Sequence, residues 1–266
     1  MSITVDARSH KVQTIPVPLD PLSFNTDSSW VHHGGTPQGV IAIVVGQLSY
    51  ASRAGHDDEV ISCTYGGIPM YEVSGSPFVQ TLVGSLPFDA NGFPWDQKWW
   101  QFHAFYLGGC VGNGDQTFDI DLGPGTIFGT YQCEVWTFNT SMGGIACEAI
   151  QTQQEATDHP SFNITSSHTG MVFGAIGTDA DSITRLTATS GHFGTLKQDF
   201  GVITAAWGEY AESAAGAHNF AWTITTAFSV APLQPCIEFG FTVYEATEAP
   251  CPGELANYWG ILVSPM

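Results

Sequence analysis

Short segments in which apolar and polar residues alternate recur along this chain. In the segment 118–122 the apolar residues fall on one face and the acids on the other. In the segment 238–244, Phe239, Phe241 and Val243 share a face in the same way. Because successive side chains of a strand point to opposite sides, this period of two predicts half-buried β-strands.

Two further patterns predict strands of other kinds. The apolar run 40–45 is unbroken, which is typical of a strand covered on both faces. The segments 60–65 and 68–73 flank Gly66-Gly67, which predicts a hairpin with a tight turn. A short strand is expected at residues 3–5, and further strands are expected at 99–107, 131–138, 171–176, 183–188, 202–207, 220–226 and 258–263.

These strands predict an all-β fold, since no ten-residue stretch has a convincing helical periodicity. The alanine-rich segment 208–218 is predicted to be a loop because it contains Gly216 and lies between two strands. Many strands without crossover helices favour an antiparallel two-layer sandwich, jelly-roll-like in character. The expected organisation is one sandwich domain over residues 39–266, preceded by a proline-dotted N-terminal arm or entry strand over residues 1–38.

The composition and charge of the chain argue against several classes of function. The chain has 25 acidic residues against 6 lysines and arginines, a formal net charge of −19. Binding to nucleic acid depends largely on neutralising phosphates, so we expect no nucleic-acid partner. No segment approaches the roughly 18 apolar residues of a membrane helix, so no membrane span is expected. The first residues lack the basic and apolar regions of a signal peptide, which argues against secretion by the general route.

The six cysteines predict buried thiols rather than a metal site. None forms a CxxC pair, and their spacings do not match a zinc site. Cys63 and Cys133 lie inside predicted strands, which favours burial. Cys236 and Cys251 lie beside prolines on predicted loops, so a disulfide between them is an alternative to two free thiols.

The order of several motifs resembles a known family. These motifs are the apolar strand 40–45, Thr64-Tyr65-Gly66-Gly67 followed by Met70, Phe105-Tyr106-Leu107-Gly108-Gly109, the alternating strand 116–121 and the aromatic-glycine-apolar strand 258–263. Their order resembles the β-sandwich minor tail proteins of tailed bacteriophages, particularly those that infect actinobacteria. The resemblance covers roughly residues 40–263, and the acidic and aromatic insert 85–98 departs from it.

This resemblance implies a structural virion protein without catalytic residues. We expect a minor tail or tail-tip component that is assembled in the host cytoplasm and incorporated into the virion. Its partners would be further copies of itself and other virion proteins, near the end that contacts the host. A carbohydrate-binding adhesion module that takes a host surface glycan, or a capsid decoration protein, is the alternative.

One aromatic segment is the candidate for binding. Phe93, Trp95, Trp99 and Trp100 lie within eight residues. Tryptophan faces stack on sugar rings and also anchor protein interfaces, so these four residues are interface or glycan candidates. Packing within the sandwich core is the structural alternative for the same residues.

Acidic pairs provide weak candidates for calcium, which prefers oxygen ligands. They are Asp57 with Asp58, and Asp179 with Asp181, and the pair Asp119 and Asp121 shares a strand face. Solvation alone explains each pair more simply, so no metal is predicted.

Catalytic motifs are missing from the sequence. The chain has no GxSxG, HExxH or GxGxxG motif. His32 and His33 are adjacent, and in an extended segment they would point to opposite faces rather than chelate one ion. We therefore expect no enzymatic activity and no cofactor. A β-sandwich hydrolase would instead require two carboxylates that face a cleft.

Overall fold

The described part of the chain consists of strands and their connections. A computed structural model describes residues 3–14, 28–48, 62–76, 78–83, 97–109, 111–121, 128–157, 159–179, 183–190, 203–226 and 235–247. Within these residues every regular element is a β-strand, which confirms the all-β prediction. The strands are β1 (Thr4–Thr14), β2 (Ser28–His32), β3 (Gly39–Leu48), β4 (Ser62–Tyr65), β5 (Ile68–Pro69), β6 (Tyr71–Glu72), β7 (Phe78–Val83), β8 (Gln97–Leu107), β9 (Gln116–Asp121), β10 (Phe128–Asn139), β11 (Gly143–Cys147), β12 (Gln151–Ala156), β13 (Ser161–Ser166), β14 (Gly170–Asp179), β15 (Ile183–Ser190), β16 (Ile203–Ser213), β17 (Gly216–Thr226) and β18 (Pro235–Thr247).

These strands form four sheets, and their pairings are antiparallel. Sheet I has the order β1-β10-β3-β8-β6, with β7 also paired to β8. Sheet II has the order β11-β18-β14-β16, with β12 also paired to β18. Sheet III is β13-β17-β15, and sheet IV is β2-β9-β4-β5. No helix in the described residues has the length and apolar character needed to cross a membrane.

Sheets I and II pack face to face around an aromatic core. Phe102 of sheet I lies against Phe239 of sheet II, with ring centroids 4.9 Å apart. Trp136 of sheet I meets Phe173 of sheet II edge to face at 5.1 Å. Phe239 is joined in this core by Phe241 and Val243, the face that alternation predicted. This pair of sheets confirms the expected antiparallel sandwich.

Sheet IV covers the outer face of sheet I. Val40, Ala42 and Val44 of β3 form a second core with Phe118 and Ile120 of β9. The intervening β3 residues face sheet II instead. The prediction that the run 40–45 is covered on both faces is therefore confirmed.

The predicted hairpin closes on two glycines. Gly66 and Gly67 have φ values of +58° and +77°, and Tyr65 pairs with Ile68 across them. Two consecutive residues with positive φ are required by the tight turn whose twist suits a hairpin. Glycine adopts this conformation without steric strain, which explains the Tyr-Gly-Gly sequence.

Sheet III packs very closely against the outer face of sheet II. A Cβ atom on Gly174 would lie 2.8 Å from the ring of Phe220. A Cβ atom on Gly240 would overlap the side chain of Ile164. The two glycines pair with each other in sheet II, so they form a flat patch on which the side chains of sheet III rest.

Side chains of β12 bind the open edge of sheet III. Gln151 donates to the carbonyl of Thr165 at 2.8 Å and accepts from its backbone N–H at 3.0 Å. Gln153 donates to the carbonyl of Ser161 at 3.0 Å, and Glu155 accepts from the Ser161 N–H at 2.7 Å. These side chains satisfy backbone groups of β13 that would otherwise form an exposed sheet edge.

One local prediction is wrong. The segment 208–218, expected to be a loop, forms the end of β16 and the start of β17. The segment pairs with neighbours on both sides of its turn, since β16 pairs with β14 and β17 with β13 and β15. Small residues give no alternating pattern, so only this pairing identifies the strands.

The N-terminal segment contributes to two sheets. The strand expected at residues 3–5 extends through β1, which pairs with β10 along the edge of sheet I. β2 pairs with β9 in sheet IV. The predicted strand at 258–263 lies outside the described residues.

Buried thiols occur as predicted at three positions. Cys63, Cys133 and Cys236 are buried and free. Burial raises the pKa of the Cys63 and Cys133 thiols well above the ordinary value, so both stay protonated. The Cys236 thiol donates to the carbonyl of Glu155 at 3.3 Å, whereas Cys251 lies outside the described residues.

Candidate functional site

The four aromatic candidates fall at the border of the described structure. Trp99 and Trp100 lie in β8, where the backbone pairs with β3 on one side and β7 on the other. The side chains of these two residues, and the whole of Phe93 and Trp95, lie outside the described residues. Their role as an interface or glycan site stays a prediction.

The calcium candidates are placed only in part. Asp57, Asp58 and Asp181 lie outside the described residues, and Asp179 ends β14 without a described side chain. Asp119 accepts a hydrogen bond from Thr64 at 3.3 Å. Within the described ranges, no group of three or more histidine, cysteine, aspartate or glutamate side chains is arranged to hold a metal ion.

The adjacent histidines point apart, as predicted. The His32 side chain is fully buried, whereas His33 is exposed and lies 2.9 Å from the carboxylate of Asp115. The two rings therefore have separate surroundings.

His32 lies in a continuous hydrogen-bonded network between sheets I and IV. Its Nδ1 is 2.8 Å from the Ser9 hydroxyl, which accepts from the Trp30 indole N–H at 3.0 Å. Its Nε2 is 3.2 Å from the Thr137 hydroxyl, which donates to the Asp6 carboxylate at 3.2 Å. These donors fit one neutral tautomer, in which His32 accepts from Ser9 and donates to Thr137.

A β-bulge positions the carboxylate at the end of this network. The register of β1 against β10 shifts between Val5 and Ala7, which leaves Asp6 as the extra residue. Asp6 also accepts from the backbone N–H of Gly35 at 2.8 Å. The bulge thus lets one carboxylate join β1 to β10 and to the segment after β2.

Burial sets the protonation state of His32. Desolvation lowers its pKa to about 4, and the negative charge of Asp6 only partly opposes this shift. His32 is therefore neutral at neutral pH, which agrees with the tautomer that the hydrogen bonds require.

A second buried histidine forms a similar link within sheet I. His103 Nδ1 is 3.1 Å from Glu72, which also accepts from the Ser76 hydroxyl at 2.7 Å. Burial lowers the pKa of His103 in spite of this carboxylate. Burial alone would raise the pKa of Glu72, but the hydrogen bonds from His103 and Ser76 lower it. A neutral imidazole thus faces an ionised carboxylate.

Neither network has the order that serine hydrolysis uses, in which one histidine contacts both the nucleophile and the carboxylate. In the first network Thr137 stands between His32 and Asp6. In the second, Glu72 stands between Ser76 and His103. Both arrangements join strands, and neither provides a serine paired with a carboxylate-oriented base.

A third buried ionisable side chain, Glu238, lies between sheets II and III and differs from the two histidines in its hydrogen bonding. It is fully buried, and neither carboxyl oxygen has a hydrogen-bond partner at ordinary distance among the described residues. Burial, and beyond it the nearby Glu155, raises its pKa to about 8. Glu238 is therefore mostly protonated at neutral pH. The alternating pattern did not reveal this residue, because a polar position in an amphipathic strand is expected to face solvent.

An aromatic cluster lies on the surface near the segment 147–150. We define it by four residues: Tyr71, Tyr106, His168 and Tyr244. The rings of His168 and Tyr244 stack with centroids 3.9 Å apart and planes 4° from parallel. Tyr71 and Tyr106 pair across β6 and β8, with centroids 6.0 Å apart. Sequence reasoning missed the cluster because its members are far apart along the chain and come from both central sheets and a turn.

Comparison with known proteins adds no assignment. Neither the models of known protein families nor the sequences of curated proteins match this chain.

Proposed function

We propose that this chain is a structural virion protein, a minor tail or tail-tip component that acts through binding and assembly rather than catalysis. The observation that carries the proposal is the order of its sequence motifs, which resembles that of minor tail proteins of tailed bacteriophages. The high negative charge is compatible with this role, since it favours solubility before assembly and disfavours binding to packaged DNA.

The positions of the motif residues support a structural reading of the resemblance. Tyr65, beside the two turn glycines, is buried and contacts the ring of His32 at a centroid distance of 5.8 Å. Met70 and Phe105 lie in the same core between sheets I and IV. Residues that carry the resemblance therefore form packing contacts, as expected of a shared framework.

The buried polar groups support a role without catalysis. The networks of His32 and His103 connect strands through neutral imidazoles. Such networks add specificity and rigidity to a packed interior. Rigid sandwich domains suit a part that must keep its shape within a large assembly.

A localisation experiment tests this proposal. Antibodies raised against the purified chain should label intact phage particles from the same source in immunogold electron microscopy, with the label at the tail. Peptides of the chain should also be found by mass spectrometry in the purified particles. Label on capsids would favour a decoration protein, and particles without the chain would contradict the proposal.

A further inference from the structure

The two halves of the aromatic cluster lie on either side of one short segment. The Glu148 N–H donates to the carbonyl of Thr242, in the strand that carries Tyr244. The Ile150 N–H donates to the carbonyl of Ser74, just after the strand that carries Tyr71. The segment 147–150 is therefore hydrogen-bonded beside both ring pairs, next to His168–Tyr244 at one end and next to Tyr71–Tyr106 at the other.

The His168 ring is held in a fixed orientation although it is half exposed. Its Nδ1 is 2.7 Å from Glu148, and the same carboxylate accepts from the Ser167 N–H at 2.8 Å. One face of the ring is covered by Tyr244, and the side chain retains 49% of its exposure. A fixed, exposed aromatic face binds with a small loss of conformational entropy.

The same rings carry both hydrogen-bond donors and hydrogen-bond acceptors. Within the described structure, the hydroxyls of Tyr71, Tyr106 and Tyr244 have no hydrogen-bond partner, and neither has Nε2 of His168. Burial, and then the nearby Cys147, Tyr71 and Tyr244, raise the pKa of Tyr106. Its hydroxyl therefore stays protonated and can donate as well as accept. Because Nδ1 of His168 faces Glu148, its Nε2 is the ring nitrogen that remains for a hydrogen bond to a ligand.

The charged side chains beside the aromatic cluster indicate which class of ligand it can bind. The acidic groups beside the cluster are already bonded, Glu148 to His168 and Glu72 to His103 and Ser76. They oppose an anion, and their bonds leave them poorly placed to pair with a cation. Flat ring faces with free donors and acceptors match a ligand whose apolar C–H faces alternate with hydroxyl groups.

We infer that the aromatic cluster of Tyr71, Tyr106, His168 and Tyr244 is a binding site for a neutral saccharide. The sugar ring stacks on the exposed aromatic faces, and its hydroxyls bond to the tyrosine hydroxyls and to His168 Nε2. Only the source of this saccharide, a glycan on the host surface, rests on the proposed tail function.

Binding of the full chain to immobilised neutral oligosaccharides of glucose, galactose, mannose, rhamnose and N-acetylglucosamine tests the inference. Titration calorimetry with the best-retained sugar then compares the wild type with His168→Ala and Tyr244→Ala. Each variant should bind about fivefold more weakly, since an aromatic contact contributes on the order of 1 kcal/mol. Met142→Ala is the matched control, because Met142 is an exposed apolar residue outside the cluster.

Two further measurements keep the inference falsifiable. Tyr71→Phe removes only a hydroxyl and should weaken binding less than Tyr71→Ala. Binding should also be insensitive to salt between 0.05 and 0.5 M, on the order of the range over which exposed charges become screened.

Retention of none of these sugars, or equal binding by the folded His168→Ala and Tyr244→Ala variants, overturns the inference. A steep loss of binding with salt would show that charged groups rather than the ring faces hold the sugar, and would overturn it as well. The proposed tail function fails separately, if a chain that binds sugar is missing from the particles.

Discussion

The interface between sheets I and IV and the interface between sheets II and III bury ionisable side chains in opposite ways. In the first, both nitrogens of His32 have partners, and the network ends on the side chain of Asp6. In the second, Glu238 has neither a cation nor an ordinary hydrogen-bond partner among the described residues. Both groups are neutral at neutral pH, since burial disfavours the charged form of each.

The contrast between the two interfaces shows that burial alone does not determine how a region responds to pH. A buried base must gain a proton to become charged, so acid destabilises its surroundings. A buried acid must lose a proton, so alkali destabilises its surroundings. The two interfaces should therefore weaken at opposite ends of the pH range, and the predictions below separate them.

The largest effect is expected at Glu238. Its pKa is about 8 in the folded chain and 4.5 as the ordinary value, so the folded state holds the proton more tightly. Its contribution to the free energy of unfolding is complete below pH 4.5 and is lost as pH rises through 8. The shift corresponds to roughly 5 kcal/mol at about 1.4 kcal/mol per pH unit. Urea unfolding of the wild type and of Glu238→Gln, measured from pH 4.5 to 9, should show this difference in slope.

Glutamine keeps nearly the same shape but cannot ionise, so it is the matched variant. Glu238→Gln should lose far less stability than the wild type across this window, even if its amide lowers stability by a constant amount. Parallel pH profiles for the two proteins would show that Glu238 does not limit stability in alkali.

A smaller effect of opposite sign is expected at His32. Its pKa is lowered from 6.5 to about 4, so the unfolded state holds the proton more tightly. The neutral ring favours the folded state above pH 6.5, and this contribution is lost as pH falls through 4, by roughly 3 kcal/mol. Unfolding of the wild type and of His32→Asn between pH 7 and 4 measures it, because asparagine does not titrate there.

His32→Asn lowers stability at neutral pH as well, because it breaks bonds to Ser9 and Thr137. The informative quantity is therefore the change in its difference from the wild type as the pH falls. A difference that stays constant from pH 7 to 4 would refute the assignment. A Glu238→Gln chain should retain the acid response, which separates the two interfaces.

The smallest effect concerns packing rather than charge. Gly240→Ala places a methyl group against Ile164 and against the backbone of β14, and should reduce the free energy of unfolding by about 1 to 3 kcal/mol. Thr247→Ala, at the exposed end of the same strand, should change it by less than about 0.5 kcal/mol. Chemical unfolding at pH 6 measures both.

Adding Ile164→Val to Gly240→Ala should recover part of the loss if the close approach of sheet III is the cause. A double variant that is as unstable as the sum of the two single changes would place the strain elsewhere. A Gly240→Ala protein of normal stability would show that sheet III rests only loosely on sheet II, unlike sheet IV on sheet I.

The sequence predicts the strands wherever side chains differ strongly in polarity. The run 40–45 and the alternating segments 118–122 and 238–244 are recognisable because their apolar residues mark the faces that enter a core. Gly66-Gly67 identifies a hairpin because its backbone conformation is local. The loop prediction for the segment 208–218 is wrong because alanine and glycine carry too little polarity to mark a face.

The candidate sites were predicted less well. The aromatic segment 93–100 is a contiguous feature of the sequence, whereas the aromatic cluster is assembled from β6, β8, β18 and the turn that carries His168. A single sequence does not record which distant residues meet. The opposite directions of His32 and His33 were predicted correctly, because adjacent residues of a strand obey local geometry.

The sequence is sufficient to predict an acidic, all-β, antiparallel chain and the inner faces of its main strands, because alternation and turn formation are local properties. Only the tertiary structure shows that the outer face of sheet II is covered, that Asp6 closes the network of His32, and that Glu238 is buried without an ordinary hydrogen-bond partner among the described residues. These outcomes depend on which surfaces meet after folding. The same glutamate would be an ordinary solvated residue if sheet III did not lie over it.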